Sequence, residues 1–238
     1  MNHTPAATDT ECGRKPWPEA LLFDLDGTLI DSVPDLTAAT NELLAQDSLA
    51  PLSINVVRAM IGNGVKKLVE RAYAAAQSPV EGEALDAALD RMMAIYGRHL
   101  TGQTTLMSGA LDIVAAYHRA GVRIAVVTNK PEAFTHELLK HFGFDAMVDA
   151  VVGGDTGPER KPAPDMLEHA LALMGVTADR AIMVGDSPAD IDSAKAAGVP
   201  SIAVRGGYTN VPVEELGADI LIDSLKDLPQ AIAALKPN

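Results

Sequence analysis

From Ser108 onward, short apolar runs alternate with helical stretches that end at glycine. The runs are Ile124 to Val127, Val148 to Val152, Ala181 to Val184, Ser201 to Val204 and Ile220 to Ile222, and the helices between and before them end at Gly121, Gly143, Gly175 and Gly198. Runs this short and this rich in Val, Ile and Ala are what a strand buried on both faces requires, and the intervening helices supply the cover. The expected fold class is therefore α/β, a doubly wound parallel sheet. A further run, starting at Leu21 and closing in acidic residues and Gly27, adds a strand at the front.

Between that first strand and Ser108 the pattern changes. A helix start is signalled near Ser32 and Pro34, and three helical patterns follow with no strand among them. The clearest is Val65, Leu68, Val69, Ala72 and Tyr73, the spacing of an amphipathic helix, and Leu85, Leu89, Met92, Met93 and Tyr96 repeat it more loosely. The organisation expected is a core of residues 20–30 and 104–238, a small all-helical insert over 31–103, and a polar leader over 1–19. With 238 residues, a core plus a modest insert is also the natural size reading.

Charge and composition narrow the partners. Lys and Arg number 19 against 32 Asp and Glu, a net charge of -13, so the basic footprint that nucleic acids or anionic lipids require is missing. The leader has no apolar run of signal-peptide length, and no stretch has the ~18 apolar residues of a membrane span. The single cysteine, Cys12, closes no internal disulfide and builds no metal site. These features predict a cytoplasmic protein with neither nucleic acid nor membrane as partner; a monomer or homodimer is the expected state, with no sequence feature choosing between them.

In an open parallel sheet the ligand site lies beyond the carboxyl ends of the strands. Asp24 and Asp26 follow the first run, two residues apart, a spacing that turns both carboxylates toward one face of an extended chain. Alone, they read first as a strand-ending Asp and an Asp-Gly turn. Asp186 and Asp190 follow the Ala181 run at i and i+4, and alone read equally as two acids on one face of the first helical turns or as a turn residue and a first-turn acid. Together the four acids form a cluster that is costly without a cation, and Mg2+ takes such oxygens at about 2.0–2.1 Å alongside substrate phosphate. Thr128 and Asn129 bring a hydroxyl and backbone N–H groups to the same rim, as oxyanion binding needs. Lys161 lies in Arg160-Lys161-Pro162-Ala163-Pro164-Asp165, where prolines fix its position just before a helix.

Asp24-Leu25-Asp26-Gly27-Thr28, then Thr128 after a strand, then Lys161-Pro162-Ala163-Pro164-Asp165, then Gly185-Asp186 with Asp190 resemble the four ordered motifs of haloacid dehalogenase-like hydrolases. The resemblance spans about residues 21–197 and implies a helical cap where the insert lies. It implies Asp24 as nucleophile and Asp26 as general acid and base. It also implies Mg2+ held by Asp24, Asp186 and the backbone carbonyl of Asp26 with Asp190 in support, and phosphoryl oxygens bound by Thr128, Asn129 and Lys161. Ile61-Gly62-Asn63-Gly64, Val127-Thr128-Asn129-Lys130-Pro131, Gly153-Gly154-Asp155 and Ala194-Lys195-Ala196-Ala197-Gly198 are similar to segments of the phosphoglycolate phosphatases. The activity implied is hydrolysis of a small anionic phosphomonoester, 2-phosphoglycolate first.

Within the insert, the turn Asn63-Gly64 opens a helix whose free N–H groups favour an anion, and Lys67 and Arg71 stand at i and i+4 off its apolar stripe. These four residues are the expected carboxylate site; the alternative is that Asn63 is only a helix cap and both cations are solvated. A broader sugar-phosphate phosphatase and a mutase of the β-phosphoglucomutase kind remain open. A signalling receiver also uses acids, Thr, Lys and Mg2+, but has no insert. The six histidines show no zinc-binding spacing, and neither a Gly-x-Ser-x-Gly elbow nor a P-loop is present.

Overall fold

The structure is a computed structural model and describes residues 17–209 and 211–236; the expectations for residues 1–16, Cys12 among them, lie outside the described residues. Six parallel strands form one sheet in the order β5-β4-β1-β6-β7-β8, with β1 Ala20–Phe23, β4 Arg123–Val127, β5 Ala150–Val152, β6 Ala181–Gly185, β7 Ser201–Val204 and β8 Ile220–Ile222. The doubly wound expectation therefore holds. The run from Val148 pairs only from Ala150, because Asp149 closes the strand start instead: its carboxylate accepts the Ile124 N–H at 2.9 Å.

Alternation within β1 shows why the runs are apolar throughout. Leu21 and Phe23 point to one face with Ile124, Val126, Ile182 and Val184, where α5 (Ala110–Arg119), α6 (Glu132–His141) and α9 (Leu228–Leu235) contribute Ile113, Leu138 and Ile232. Ala20 and Leu22 point to the other, against Met166, Leu167 and Ala170 of α7 (Asp165–Met174) and Ala194 of α8 (Pro188–Ala197). Both faces are dry, so every residue of the strand is apolar.

The chain leaves the sheet through β2 (Ile30–Asp31) and returns through β3 (Thr105–Leu106), which pair antiparallel. Four helices lie between: α1 Val33–Gln46, α2 Ile54–Arg58, α3 Val65–Ala75 and α4 Gly82–His99. Asp35 of α1, 1% exposed, ties the two passages together by accepting the backbone N–H groups of Gln103 and Thr104. The two-residue strands are too short to leave a periodic signal, which is why only helices were expected here. Among the described residues no helix is long and apolar enough to cross a membrane.

Candidate active site

Because β4, β1 and β6 are neighbours, their carboxyl ends set Thr128, Asp24 and Asp186 side by side, strand spacing apart. Lys161, from the loop before α7, reaches into this row. Its Nζ lies 2.8 Å from Asp24 Oδ1, 2.6 Å from Asp190 Oδ1 and 2.6 Å from the Val127 carbonyl oxygen. The ammonium's three donors are thus all engaged. Burial alone would lower its pKa, but Asp190 and Asp24 outweigh that and hold it above the ordinary lysine range.

Of the four acids expected to cluster, three gather, and Asp26 stands apart beside Lys130. Asp24, Asp186 and Asp190 bring carboxylate oxygens within 4.8 Å of one another, all three residues buried. Burial, reinforced by Asp190 and opposed by Lys161, pushes the Asp24 carboxyl up to about 7. Burial, with Asp190 and Asp24 beside it, also drives Asp186 well above the carboxylate range, against the Tyr208 N–H and the Thr28 hydroxyl that favour its ionised form. A single lysine does not balance this much buried negative charge, and the donors are hard oxygens with no His or Cys, the set that suits Mg2+. Asp190 is the least able to ligate: Oδ1 takes Lys161, and Oδ2 accepts from the N–H groups of Asp186 and Ser187 and the Ser187 hydroxyl. Asp24 and Asp186 keep free acceptor capacity, so they are the side chains fit to hold the ion, with Asp190 orienting the loop around them.

Two glycines make this packing possible. A Cβ on Gly207 would stand 2.1 Å from Asp186 Oδ2 and 2.3 Å from its Cβ, and one on Gly27, at φ +92°, would stand 2.5 Å from the same Oδ2. Only a bare backbone can approach the carboxylate this closely.

Asp26 is held differently. Ser32 donates its hydroxyl to Asp26 Oδ1 at 2.5 Å, and Lys130 Nζ lies 3.0 Å from both carboxylate oxygens. Asp26 and Asp24 share a cavity with Thr128, Asn129 and Lys130 on the sheet side, closed by Leu36, Ile61, Val65 and Leu68 from the insert. Its far wall is largely apolar.

The Asn129 side chain is engaged away from the rim. Its amide Nδ2 donates to the Gly62 carbonyl at 2.9 Å and to the Lys161 carbonyl at 3.0 Å, so the side chain bridges insert and sheet and leaves only the backbone N–H for an oxyanion. The insert cations need correction. Lys67 is exposed and paired with Glu70 at 2.8 Å, and does not line the cavity. Arg71 donates to the Met60 carbonyl and to Asn63 Oδ1, both at 2.8 Å, and faces a neighbouring groove with Asn63 beside Ser187 and Tyr208. The first turn of α3 puts Val65 and Leu68 on the inner face, which turns Lys67 outward. Gly64, at the N-terminus of α3 with no side-chain cap, does line the cavity.

Sequence reasoning gave no role to Lys130, Ser32, Thr28, Tyr96, Gly207 or Tyr208. For Lys130 a signal existed, a second lysine two residues beyond Thr128 on the catalytic rim. Tyr208 links the metal side to the insert: its N–H donates to Asp186, while its hydroxyl accepts from Ser32 N–H and donates to Asp31, each at 2.7 Å.

Comparison with known proteins matches this arrangement. The family model of haloacid dehalogenase-like hydrolases covers residues 21–204. The chain is 43% identical over 225 residues to a phosphoglycolate phosphatase of Rhodospirillum rubrum, covering 93% of both chains, and 39% identical over 215 residues to that of Caulobacter vibrioides, covering 90% of this chain and 91% of the other. Among solved structures, a predicted phosphoglycolate phosphatase from Haemophilus somnus superposes with a TM-score of 0.84 at 30% identity, over 90% of this chain and 97% of that one. CbbY from Rhodobacter sphaeroides in complex with phosphate superposes with a TM-score of 0.76 at 29% identity, over 88% and 96%. A family model matched over residues 21–204, with relatives 39% and 43% identical over nine-tenths of the chain, means that the chain belongs to the haloacid dehalogenase-like hydrolase family.

Proposed function

We propose that the protein is a Mg2+-dependent phosphatase that hydrolyses 2-phosphoglycolate to glycolate and phosphate through an aspartyl-phosphate intermediate. The observation that carries this reading is the buried contact between Lys161 Nζ and Asp24 Oδ1, with Asp186 beside it and Asp26 across the same cavity. A carboxylate held beside a fixed cation and a divalent-ion cluster is equipped to attack phosphorus, since the charges around it offset repulsion from the phosphoryl oxygens.

Asp24 attacks phosphorus and the ester P–O bond breaks, while Asp26 gives its proton to the departing glycolate oxygen. Asp26 then takes a proton from water as that water attacks the aspartyl phosphate, and the bond from phosphorus to Asp24 breaks to release phosphate. The Thr128 hydroxyl and the Asn129 backbone N–H receive the phosphoryl oxygens, and the Lys161 ammonium, its three donors on Asp24, Asp190 and Val127, offsets their charge from behind Asp24. Asp24, Asp186 and the Asp26 carbonyl would hold Mg2+, which when bound would neutralise phosphoryl charge as a Lewis acid. The helical insert serves as cap: its largely apolar wall excludes water, and the uncapped N-terminus of α3 at Gly64 receives the substrate carboxylate. The phosphoglycolate phosphatases among the relatives support this choice of substrate, and the phosphate bound to CbbY supports a phosphate ester as the substrate class.

Phosphate release across a panel of phosphomonoesters tests the reading. The expected outcome is the highest kcat/KM for 2-phosphoglycolate and none in Asp24→Asn; preference for hexose phosphates would move the assignment to a broader sugar-phosphate phosphatase.

A further inference from the structure

Lys130 is a buried cation to which the reaction above assigns no task. Its side chain is 2% exposed, and its Nζ lies 3.0 Å from Asp26 Oδ1, 3.0 Å from Oδ2 and 2.6 Å from the Tyr96 hydroxyl. An ammonium has three N–H bonds, and these contacts engage all of them. Lys130 therefore lines the cavity without a donor left for a substrate anion.

Its two partners come from different parts of the fold, Asp26 from the loop after β1 and Tyr96 from the insert. Lys130 follows β4 in the sheet, whereas Tyr96 is fully buried on α4 of the insert, its ring edge-on to Phe134 at 5.4 Å and 4.7 Å from Lys130 Nζ. Ser32, at the entrance to α1, holds Asp26 Oδ1 from the other direction. The Asp26 carboxylate is thus clamped between a cation anchored by the insert and a hydroxyl at the neck, where an unrestrained Asp would rotate about two side-chain torsions. Proton transfer is sensitive to such placement: a displacement of about 1 Å costs on the order of 10²-fold.

We propose that Lys130 is a positioning residue that aims the Asp26 carboxyl at the leaving-group oxygen, and that the Tyr96 hydroxyl fixes Lys130 only while the insert is seated on the sheet. The inference rests on Asp26 being the proton donor. Seating the insert then completes the acid as well as excluding water.

The test is the single-turnover rate of phosphoryl transfer with the full chain and Mg2+, comparing 2-phosphoglycolate, whose alkoxide must be protonated, with p-nitrophenyl phosphate, whose phenolate leaves unaided. Lys130→Met should lose about 10–100-fold on the alkyl ester and less than about 3-fold on the aryl ester. Tyr96→Phe keeps the ring and removes only the hydroxyl; it should shift the same ratio in the same direction by about 3–10-fold. Should Lys130→Met fail to fold, the Tyr96→Phe ratio decides. Equal losses on both esters, or no loss on either, overturn the proposal. Asp26→Asn separates the layers: if it discriminates between the esters and Lys130→Met does not, positioning fails alone; if it does not discriminate, the role of Asp26 fails first.

Discussion

Lys161 Nζ lies 2.8 Å from Asp24 Oδ1, with both groups withdrawn from solvent. The pair is buried together with Asp190, 2.6 Å from the same nitrogen, so one cation separates two carboxylates that would otherwise repel across the space it occupies. Removing one member of a buried ionic set leaves the others uncompensated, at a cost of about 3–5 kcal/mol. Lys161→Met should therefore lower unfolding stability by roughly that amount in a denaturant titration and abolish turnover. A stable, active Lys161→Met protein would show that the lysine is neither holding Asp24 nor offsetting the phosphoryl charge.

Metal dependence should carry a pH signature. In the metal-free site the Asp24 carboxyl is pushed up to about 7 by burial and by Asp190, above its ordinary value of 3.8. A group raised in this way adds stability below the unfolded value and loses it as pH rises through the folded value. The metal-free protein should therefore weaken between about pH 4 and pH 7, the window those two values set. Mg2+ competes with that proton, so its thermal stabilisation should be larger at pH 8 than at pH 6, approaching about 2.7 kcal/mol at a hundredfold excess over Kd. Excess chelator should abolish turnover at either pH. A thermal shift from Mg2+ that does not change with pH would remove Asp24 from the ion's ligands.

Gly207→Ala should act on the metal rather than on the fold. The added Cβ meets the Asp186 Cβ and Cγ as well as an oxygen, so rotating the carboxylate tip does not relieve the clash and the residue must shift bodily. The expected result is Mg2+ affinity weakened by about 10–100-fold, the scale of a disturbed ligand environment, read by Mg2+ titration of activity. Unchanged affinity would mean that the loop carrying Gly207 yields instead.

The insert has an acid-sensitive fastening of its own. Hydrogen bonds from Arg91, on α4, and from Tyr73, on α3, hold Asp47 at the end of α1 down to about 2 from 3.8. A depressed carboxylate contributes stability above its unfolded value and loses it as pH falls through the folded one, here between about pH 4 and pH 2. Asp47 is about a third exposed, so solvent screening reduces the contribution to about 1 kcal/mol. Asp47→Asn should cost that much at pH 7 and nothing near pH 2, measured by urea unfolding.

What could be read from sequence follows from how local each feature is. Asp24, Thr128 and Asp186 each end a strand whose apolar run is visible by itself, and parallel topology then places those ends together. Lys161 was marked by its flanking prolines. The contacts that were missed join residues far apart in sequence: Tyr208 to Asp31 across 177 positions, and Lys130 to Tyr96 across 34, between insert and sheet. No periodicity or spacing encodes how the insert sits on the sheet, so neither the Tyr208 link nor the Asp26 clamp had a local signature.

The same distinction sets the last prediction, which concerns the insert's cations. Sequence spacing made Lys67 and Arg71 equivalent, and both were expected to raise KM for phosphoglycolate when removed. In the fold they part. Lys67 pairs with Glu70 in solvent, an exposed i,i+3 contact worth a few tenths of a kcal/mol, and Lys67→Ala should leave every kinetic constant within about 2-fold. Arg71 instead spans Met60 and Asn63 and fixes the turn that presents Gly64 to the cavity. Arg71→Ala frees that turn, and should raise KM for phosphoglycolate by about 3–10-fold, the loss of about one hydrogen bond, with kcat little changed. Gly64→Ala tests the turn directly: at φ +83° its Cβ is strained and falls 2.9 Å from Arg160 Nη1 and 3.2 Å from the Asn129 carbonyl oxygen. It should raise KM for phosphoglycolate more than Arg71→Ala does. If Lys67→Ala alone raised KM selectively for the carboxylated substrate, the carboxylate would be met by a side chain that swings in from solvent rather than by the start of α3.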